Sequence, residues 1–197
     1  MSARAWWAAL ALVLLARPAE AHIIASRLGD FYAGAVHPMT ALEDVVLWVA
    51  LGILAGLQAP GQARWLSAVF PMALAAGLGA GLLMGAPSLP VVDAVLMVAL
   101  GVMAAALVRL PAPVLCAVAA VAGLARGVAN ASGVGPATNV WLFVGGFALA
   151  GYVAVTLATG LAAAFRPGAP WRTVALRAGG SWIAAIGLMA GGYALAG

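Results

Sequence analysis

Residues 139–165 read NVWLFVGGFALAGYVAVTLATGLAAAF, without a single charged side chain. A helix needs about 20 apolar residues to cross the hydrocarbon core of a bilayer, so this segment is long enough to span a membrane. It lacks the alternation of apolar and polar residues that is typical of a membrane-barrel strand. Because lipid offers no hydrogen-bond partners to an open backbone, the segment is predicted to be a transmembrane helix.

Five further apolar segments accompany this one, and Gly and Pro punctuate the stretches between them. These segments are residues 38–57, 65–84, 91–108, 114–128 and 174–195. Hydrophobic residues make up 66% of the chain and charged residues 7%, whereas soluble domains are about 45–50% apolar and about 25% charged. The sequence therefore predicts an all-α polytopic membrane bundle of about six transmembrane helices, forming one domain over residues 22–197.

Small residues recur four positions apart within these segments. The pairs are Gly52/Gly56, Gly77/Gly81, Gly81/Gly85, Gly123/Gly127 and Gly187/Gly191. Such pairs allow helix backbones to approach closely in a membrane, where no hydrophobic force separates helix from lipid. They predict tight helix packing and indicate no particular function.

The N-terminus has the pattern of a secretory signal peptide. Arg4 precedes the apolar run 6–16, and Ala19-Glu20-Ala21 matches a small-residue cleavage site. We therefore predict a signal peptide over residues 1–21 and His22 as the mature N-terminus. The alternative is an uncleaved first helix, but about 11 apolar residues are too few to span a bilayer comfortably.

The distribution of charge predicts the orientation. All nine basic residues are arginines, and they are scattered singly instead of forming a basic stripe with interleaved aromatics, so nucleic acid is not a predicted partner. With a periplasmic mature N-terminus, five arginines fall at cytoplasmic helix ends: Arg64, Arg109, Arg166, Arg172 and Arg177. The acidic residues of the mature chain all fall at or near the outer face: Asp30, Glu43, Asp44 and Asp93. This arrangement of helices and charges predicts a multi-pass protein of a bacterial inner membrane.

The densest group of chemically versatile residues is HPMTALED, residues 37–44, at the outer end of the first predicted helix. If Pro38 starts this helix, Thr40 and Asp44 lie within about 60° of His37, and Glu43 points about 120° away. Imidazole and carboxylate together suit a divalent first-row metal. We predict a metal site at His37, Asp44 and Glu43, to which the α-amino group and imidazole of His22 could contribute.

The same residues also have a purely structural explanation. Acidic side chains in the first turns of a helix interact favourably with its dipole, and His37 could simply cap the helix. The dipole explanation also applies to Asp93. Arg126 and Asn130, at the outer end of the fourth helix, could pair with the acids inside the bundle, or Arg126 could extend to the lipid headgroups. Further candidates for a polar pathway are Thr40, Asp30, Asp93, Arg126 and Asn130.

The segments Ala21-His22, GAVHPMTALED at residues 34–44, and Leu51-Gly52 resemble the HupE/UreJ family of small membrane proteins. The resemblance extends over nearly the whole chain in length, signal and helix number. It implies uptake of nickel, or sometimes cobalt, by a secondary permease and an association with hydrogenase and urease maturation.

The sequence lacks four histidines of the family pattern. Members commonly read Leu-Asp-His where this chain has Leu42-Glu43-Asp44, so a candidate ligand histidine is replaced by a carboxylate. They typically carry His-Gly-x-Ala-His-Gly in the fourth helix, where this chain has RGVANA at residues 126–131. A further family histidine of the fifth helix is also missing, since only His22 and His37 occur here. Fewer imidazoles predict weaker nickel binding and less discrimination against harder ions.

The leading functional prediction is a HupE/UreJ-like permease that carries Ni2+ or Co2+ into the cell. It holds no prosthetic group, and its partners are the lipid bilayer and the divalent metal ion. No Walker-type phosphate loop is present, so transport would be secondary. The alternative is a non-transporting accessory protein that contacts metalloenzyme maturation proteins. An enzyme is not predicted, because no spacing supports a nucleophile and base such as Ser132 and His37.

Overall fold

The structure is a computed structural model that describes residues 29–166 and 169–196. This part of the chain contains seven α-helices and no β-strand, which confirms the predicted all-α membrane bundle. The helices are α1 (Asp30–Val36), α2 (Leu42–Gly56), α3 (Pro60–Leu83), α4 (Pro90–Ala105), α5 (Ala112–Asn130), α6 (Val140–Phe165) and α7 (Pro170–Ala196). Two short 3-10 helices follow α1 and α5, at His37–Thr40 and Ala131–Gly133. The predicted signal peptide lies outside the described residues.

Helices α2 to α7 correspond to the six predicted apolar segments. Four of them are long and apolar enough to cross a membrane individually: α3, α5 with its 3-10 extension, α6 and α7. A fifth span arises if α1 and α2 are counted together, although the chain bends by 83° between them. Helix α4 is a shorter apolar helix of 16 residues. Proline is the first residue of α3, α4 and α7, where its missing N–H costs no helical hydrogen bond.

The beginning of the first predicted helix differs from expectation. Residues 30–36, which precede the first predicted helix, form α1, and α2 starts at Leu42 instead of Pro38. Between them the Thr40 hydroxyl donates to the His37 carbonyl at 2.7 Å, and Ala41 takes an extended conformation (φ −106°, ψ 114°). Because the helix is broken at Ala41, the predicted alignment of His37, Thr40 and Asp44 on one helical face does not exist. Thr40 is exposed and Asp44 is fully buried.

Helix α2 is the centre of the bundle. It contacts each of the five other long helices, and most of its residues are buried. Leu47, Trp48, Leu51 and Leu54 are all at most 1% exposed. Ala50 and Ala55 extend the buried surface around most of the helix, and Val49, 40% exposed, lies on the face that stays open. Burial this far around the circumference is typical of a helix largely surrounded by other helices.

Two of the closest helix pairs, α3 with α5 and α4 with α7, flank α2. A Cβ on Gly77 would overlap the carbonyl oxygen of Leu124, and a Cβ on Gly127 would overlap that of Leu74. The small-residue pairs therefore do bring α3 and α5 into backbone contact, as predicted. Gly85 is an exception, since it lies in the turn after α3 with a φ of 76°. A Cβ added to Gly85 would have no neighbouring atom within 4 Å.

The helices alternate in direction, which sorts the charged residues to opposite ends. One end of the bundle is formed by the first residues of α2, α4 and α6 and by the last residues of α3, α5 and α7. We call it the acidic end. It holds Asp30, Glu43, Asp44 and Asp93. The opposite end, which we call the arginine end, holds Arg64, Arg109, Arg166, Arg172 and Arg177.

Candidate functional site

Four polar side chains are buried together at the acidic end of the bundle. Asp44 is 0% exposed, Asp93 6%, Arg126 5% and Asn130 4%. Asp44 lies in the first turn of α2 and Asp93 in the first turn of α4, where the helix dipoles favour a negative charge. Arg126 and Asn130 are four residues apart near the end of α5 and so share one face of that helix.

The Arg126 guanidinium bridges the two carboxylates. Its Nε donates to Asp44 Oδ1 at 2.7 Å, and its Nη1 donates to Asp93 Oδ2 at 2.5 Å. The Asn130 amide donates to the same Asp44 oxygen at 3.0 Å and to the Arg126 carbonyl at 2.8 Å. The rigid fork of donors on arginine is suited to holding two carboxylates at once. Three helices, α2, α4 and α5, are thereby joined through one ion-pair cluster.

The cluster has unused acceptors. Asp44 Oδ2 and Asp93 Oδ1 are buried and have no hydrogen-bond partner in the part of the chain that the structure describes. A buried polar atom without a partner costs about 1–3 kcal/mol, and more when it is charged. Two carboxylates in this state provide a place for a further donor or for a cation.

A pocket of about 890 Å³ reaches this cluster at the acidic end. Glu43, Asp93 and Arg126 are its charged lining residues, and mostly apolar residues around the start of α4, at the end of α7 and at Ala129 of α5 complete it. Glu43 is exposed, whereas Asp93 and Arg126 are buried. The pocket therefore leads from a surface carboxylate to a buried carboxylate that is already paired with arginine.

The structure brings together four of the residues that the sequence singled out: Asp44, Asp93, Arg126 and Asn130. For Asp93 and Arg126 the sequence left a dipole or headgroup explanation open, and the structure shows both in the buried ion pair. The pairing adds to the dipole interaction at Asp93 and replaces headgroup contact at Arg126.

His37 and Asp30 lie at the same end but outside the cluster. The His37 ring packs against Gly133 and lies 5.6 Å from the Phe143 ring centre. Asp30 Oδ2 accepts from the Asn139 backbone N–H at 2.7 Å, next to the start of α6. Within residues 29–166 and 169–196, no three His, Cys, Asp or Glu side chains form a group that could hold a metal ion. His22 lies outside the described residues.

A fifth buried polar residue, Gln58, was missed by the sequence reasoning. It follows α2 at the arginine end and is 2% exposed. Its amide donates to the carbonyls of Leu54 and Val108, and its Oε1 accepts from the Leu110 N–H at 2.9 Å. The only signal in the sequence was a glutamine at the edge of an apolar segment. Such a glutamine cannot be distinguished from an ordinary loop residue by sequence.

Three of the four positions that lack a family histidine are in contact in three dimensions. Asp44, Arg126 and Asn130 occupy them, and each is hydrogen-bonded to another of the three. Where the family pattern has candidate imidazole ligands, this chain therefore has a carboxylate, a guanidinium and an amide in contact.

The sequence model of one protein family, described as HupE / UreJ protein, matches residues 10–190. Comparison with curated proteins and with solved structures gives no match. The family match covers most of the chain and includes all six apolar helices apart from the last turns of α7. The chain is therefore a multi-pass membrane protein that belongs to the HupE/UreJ family.

Proposed function

We propose that this protein is a secondary permease that carries a divalent metal cation, nickel or cobalt, from the acidic end into the cell. Membership of the HupE/UreJ family supports a role in nickel or cobalt handling. The observation that carries the proposal is the pair of buried carboxylates, Asp44 and Asp93, each with one unused oxygen, of which Asp93 lines the pocket. Ionisable residues inside a membrane domain are costly and mark ion pathways. In this proposal the acidic end faces the periplasm of a bacterial inner membrane.

The charges of the site favour a divalent ion. Glu43, Asp44 and Asp93 carry three negative charges when ionised, and Arg126 carries one positive charge, which leaves a net charge of −2. A divalent cation would neutralise this charge. Glu43 and Asp93 line the pocket and would meet the ion there, whereas Asp44 does not line it. His37 and His22 remain predicted additional ligands.

Arg126 gives the site a specific constraint. Its guanidinium already neutralises part of the carboxylate charge, so an incoming metal must compete with an internal cation. Binding of metal to Asp44 would require the guanidinium to release Oδ1 or the metal to use Oδ2. Oxygen ligands in place of imidazoles also predict weaker binding of nickel and less discrimination against harder ions such as Mn2+ or Mg2+.

The test is accumulation of nickel and cobalt in cells that express the wild type or matched amounts of Asp93→Asn and His37→Ala. Loss of even a group that orients a metal ligand costs about 10–100-fold in affinity. Uptake at limiting metal should therefore fall about tenfold or more in Asp93→Asn. The control is Asp30→Asn, which removes a charge at the same end but keeps an oxygen that can accept from Asn139.

Equal uptake by Asp93→Asn and the wild type would show that the carboxylates are not part of the pathway. Lower uptake by His37→Ala would show that the histidine belongs to the site, and unchanged uptake would show that its role is in packing. Uptake that falls equally in Asp30→Asn would show a general effect of surface charge and contradict a specific site.

A second function, that of a non-transporting accessory protein, is favoured by the packing beneath the cluster. Trp48, Met97, Leu100 and Leu51 are each at most 1% exposed, and they close the bundle interior with apolar side chains. A dry interior suits a protein that acts through contacts with metalloenzyme maturation proteins. No metal accumulation above background in the wild type, together with lower activity of a nickel enzyme in cells that lack the protein, would support this function instead.

A further inference from the structure

Two arginines at the arginine end line a pair of adjoining pockets. Arg109 and Arg166 both contribute to a pocket of about 430 Å³ beside Gln58 and Gln62, and to one of about 210 Å³ beside Thr173 and Leu176. Arg109 comes from the connection between α4 and α5, and Arg166 follows α6. Two cationic groups from different parts of the chain therefore face the same space.

The position of Arg166 is fixed, and most of its donors remain unused. Its Nη1 donates to the carbonyls of Leu57 and Gln58 at 3.0 and 2.9 Å, at the C-terminal end of α2. Its other nitrogens, and the whole guanidinium of Arg109, have no partner in the described ranges 29–166 and 169–196. All the described acidic residues lie at the opposite end of the bundle. The two arginines thus lack a carboxylate counter-ion there.

An apolar groove adjoins the basic pockets. It has a volume of about 420 Å³ and runs between α2, α6 and α7, with Val49, Leu157 and Leu161 among its lining residues. Leu176 lines both this groove and the smaller basic pocket. Leu157 and Leu161 are 68% and 64% exposed, so the groove faces the lipid in a membrane. The smaller basic pocket and the apolar groove on the lipid-facing surface therefore meet at Leu176.

We propose that the arginine end binds an anionic phospholipid, with its phosphate between Arg109 and Arg166 and an acyl chain in the groove beyond Leu176. Basic pockets between transmembrane helices on the cytoplasmic side are suited to anionic headgroups. Guanidinium groups hold phosphate oxygens through paired hydrogen bonds. A free phosphate would use the arginines but leave the groove unused, whereas a phospholipid satisfies both features. The site is separate from the carboxylate cluster and does not depend on the proposed transport.

The test compares lipid binding by the purified full-length protein, using native mass spectrometry after exchange into micelles that contain phosphatidylglycerol or phosphatidylcholine. The wild type should retain phosphatidylglycerol preferentially. The preference should fall about fivefold for each arginine replaced in Arg109→Gln/Arg166→Gln, the effect expected of one basic residue near an anionic surface. The control, Arg64→Gln/Arg177→Gln, removes two arginines of the same end that line none of these pockets and should keep the preference.

Two further variants separate the parts of the site. Arg109→Gln alone removes an exposed side chain with no bond to the described protein, so it must lower the preference even if loss of Arg166 impairs folding. Ala175→Trp places a large ring in the groove and should reduce phosphatidylglycerol retention. Displacement of the lipid by millimolar inorganic phosphate in Ala175→Trp and wild type alike would identify a phosphate site and overturn the proposal. So would an unchanged preference in Arg109→Gln/Arg166→Gln, or a second copy of the chain occupying the groove without lipid.

Discussion

Replacing Arg126 by methionine should destabilise the bundle more than any other single change at the acidic end. The substitution removes a guanidinium that donates at 2.7 Å to Asp44 and at 2.5 Å to Asp93, and it leaves both carboxylates buried. At a charge separation of about 4 Å and an effective dielectric constant of about 20, each pair contributes about 4 kcal/mol of attraction. The cost of burying the arginine offsets much of this sum, and removing one partner of a buried pair costs about 3–5 kcal/mol.

A charge-neutral variant separates this electrostatic effect from the loss of packing. In Asp44→Leu/Asp93→Leu/Arg126→Met the cluster holds no buried charge, so the triple variant should recover most of the stability that Arg126→Met loses. Replacing an entire buried ion pair by apolar residues of similar volume is often neutral or even stabilising, whereas removing one partner is not. The order of stability should therefore be wild type and triple variant close together, with Arg126→Met well below both.

The measurement is equilibrium unfolding in mixed micelles at increasing mole fraction of sodium dodecyl sulfate, followed by far-ultraviolet circular dichroism. An Arg126→Met variant within about 1 kcal/mol of the wild type, the range of an ordinary substitution, would refute the reasoning. A triple variant less stable than Arg126→Met would also refute it, because the damage would then come from lost side-chain volume and hydrogen bonds and not from unpaired charge.

Two further predictions use the same unfolding assay and matched controls. Gly127→Ala should lose about 1–3 kcal/mol, because its Cβ would overlap the Leu74 carbonyl and force α3 and α5 apart, whereas Gly79→Ala, with no atom within 4 Å of the added carbon, should be neutral or slightly stabilised. Equal effects of the two would contradict the backbone contact. Gln58→Leu should cost about 1–3 kcal/mol, because it leaves the Leu110 N–H without its acceptor, whereas Gln62→Leu should change little. A Gln58→Leu protein as stable as the wild type would show that water replaces the side chain.

The fold was largely predictable because its main determinants are local. Uninterrupted apolar runs such as residues 139–165 admit few structures other than helices in lipid, and prolines such as Pro60 and Pro90 mark where helices begin. The break at Ala41 was not predictable in the same way. It depends on the turn at residues 37–40 and on the packing of His37 against Gly133, which lies far away in the sequence.

The candidate site was predictable in its residues but not in its pairing. Asp44, Asp93 and Arg126 stand out because charges are rare in this chain, and the helix count places them at one end. The sequence alone cannot choose which acids Arg126 contacts, since the answer depends on how α2, α4 and α5 are arranged around each other. Glu43 is adjacent to Asp44 in sequence, yet it faces the pocket while Asp44 is buried in the cluster.

Three of the four departures from the family histidines, at positions 44, 126 and 130, are physically linked. A guanidinium buried at position 126 needs an anion, and the carboxylate at position 44 supplies one at 2.7 Å. Asn130 then donates to the same carboxylate oxygen, where an imidazole in the family pattern would be a candidate metal ligand. Histidine at 126 alone would leave Asp44 and Asp93 without their guanidinium, and histidine at 44 alone would remove one of the two carboxylates that pair with Arg126. Histidine at 130 alone removes only a neutral donor and leaves both ion pairs in place. Nickel affinity should consequently rise most in the triple histidine variant, because the single changes at 44 and 126 first break an ion pair and the single change at 130 leaves the guanidinium in competition with the metal.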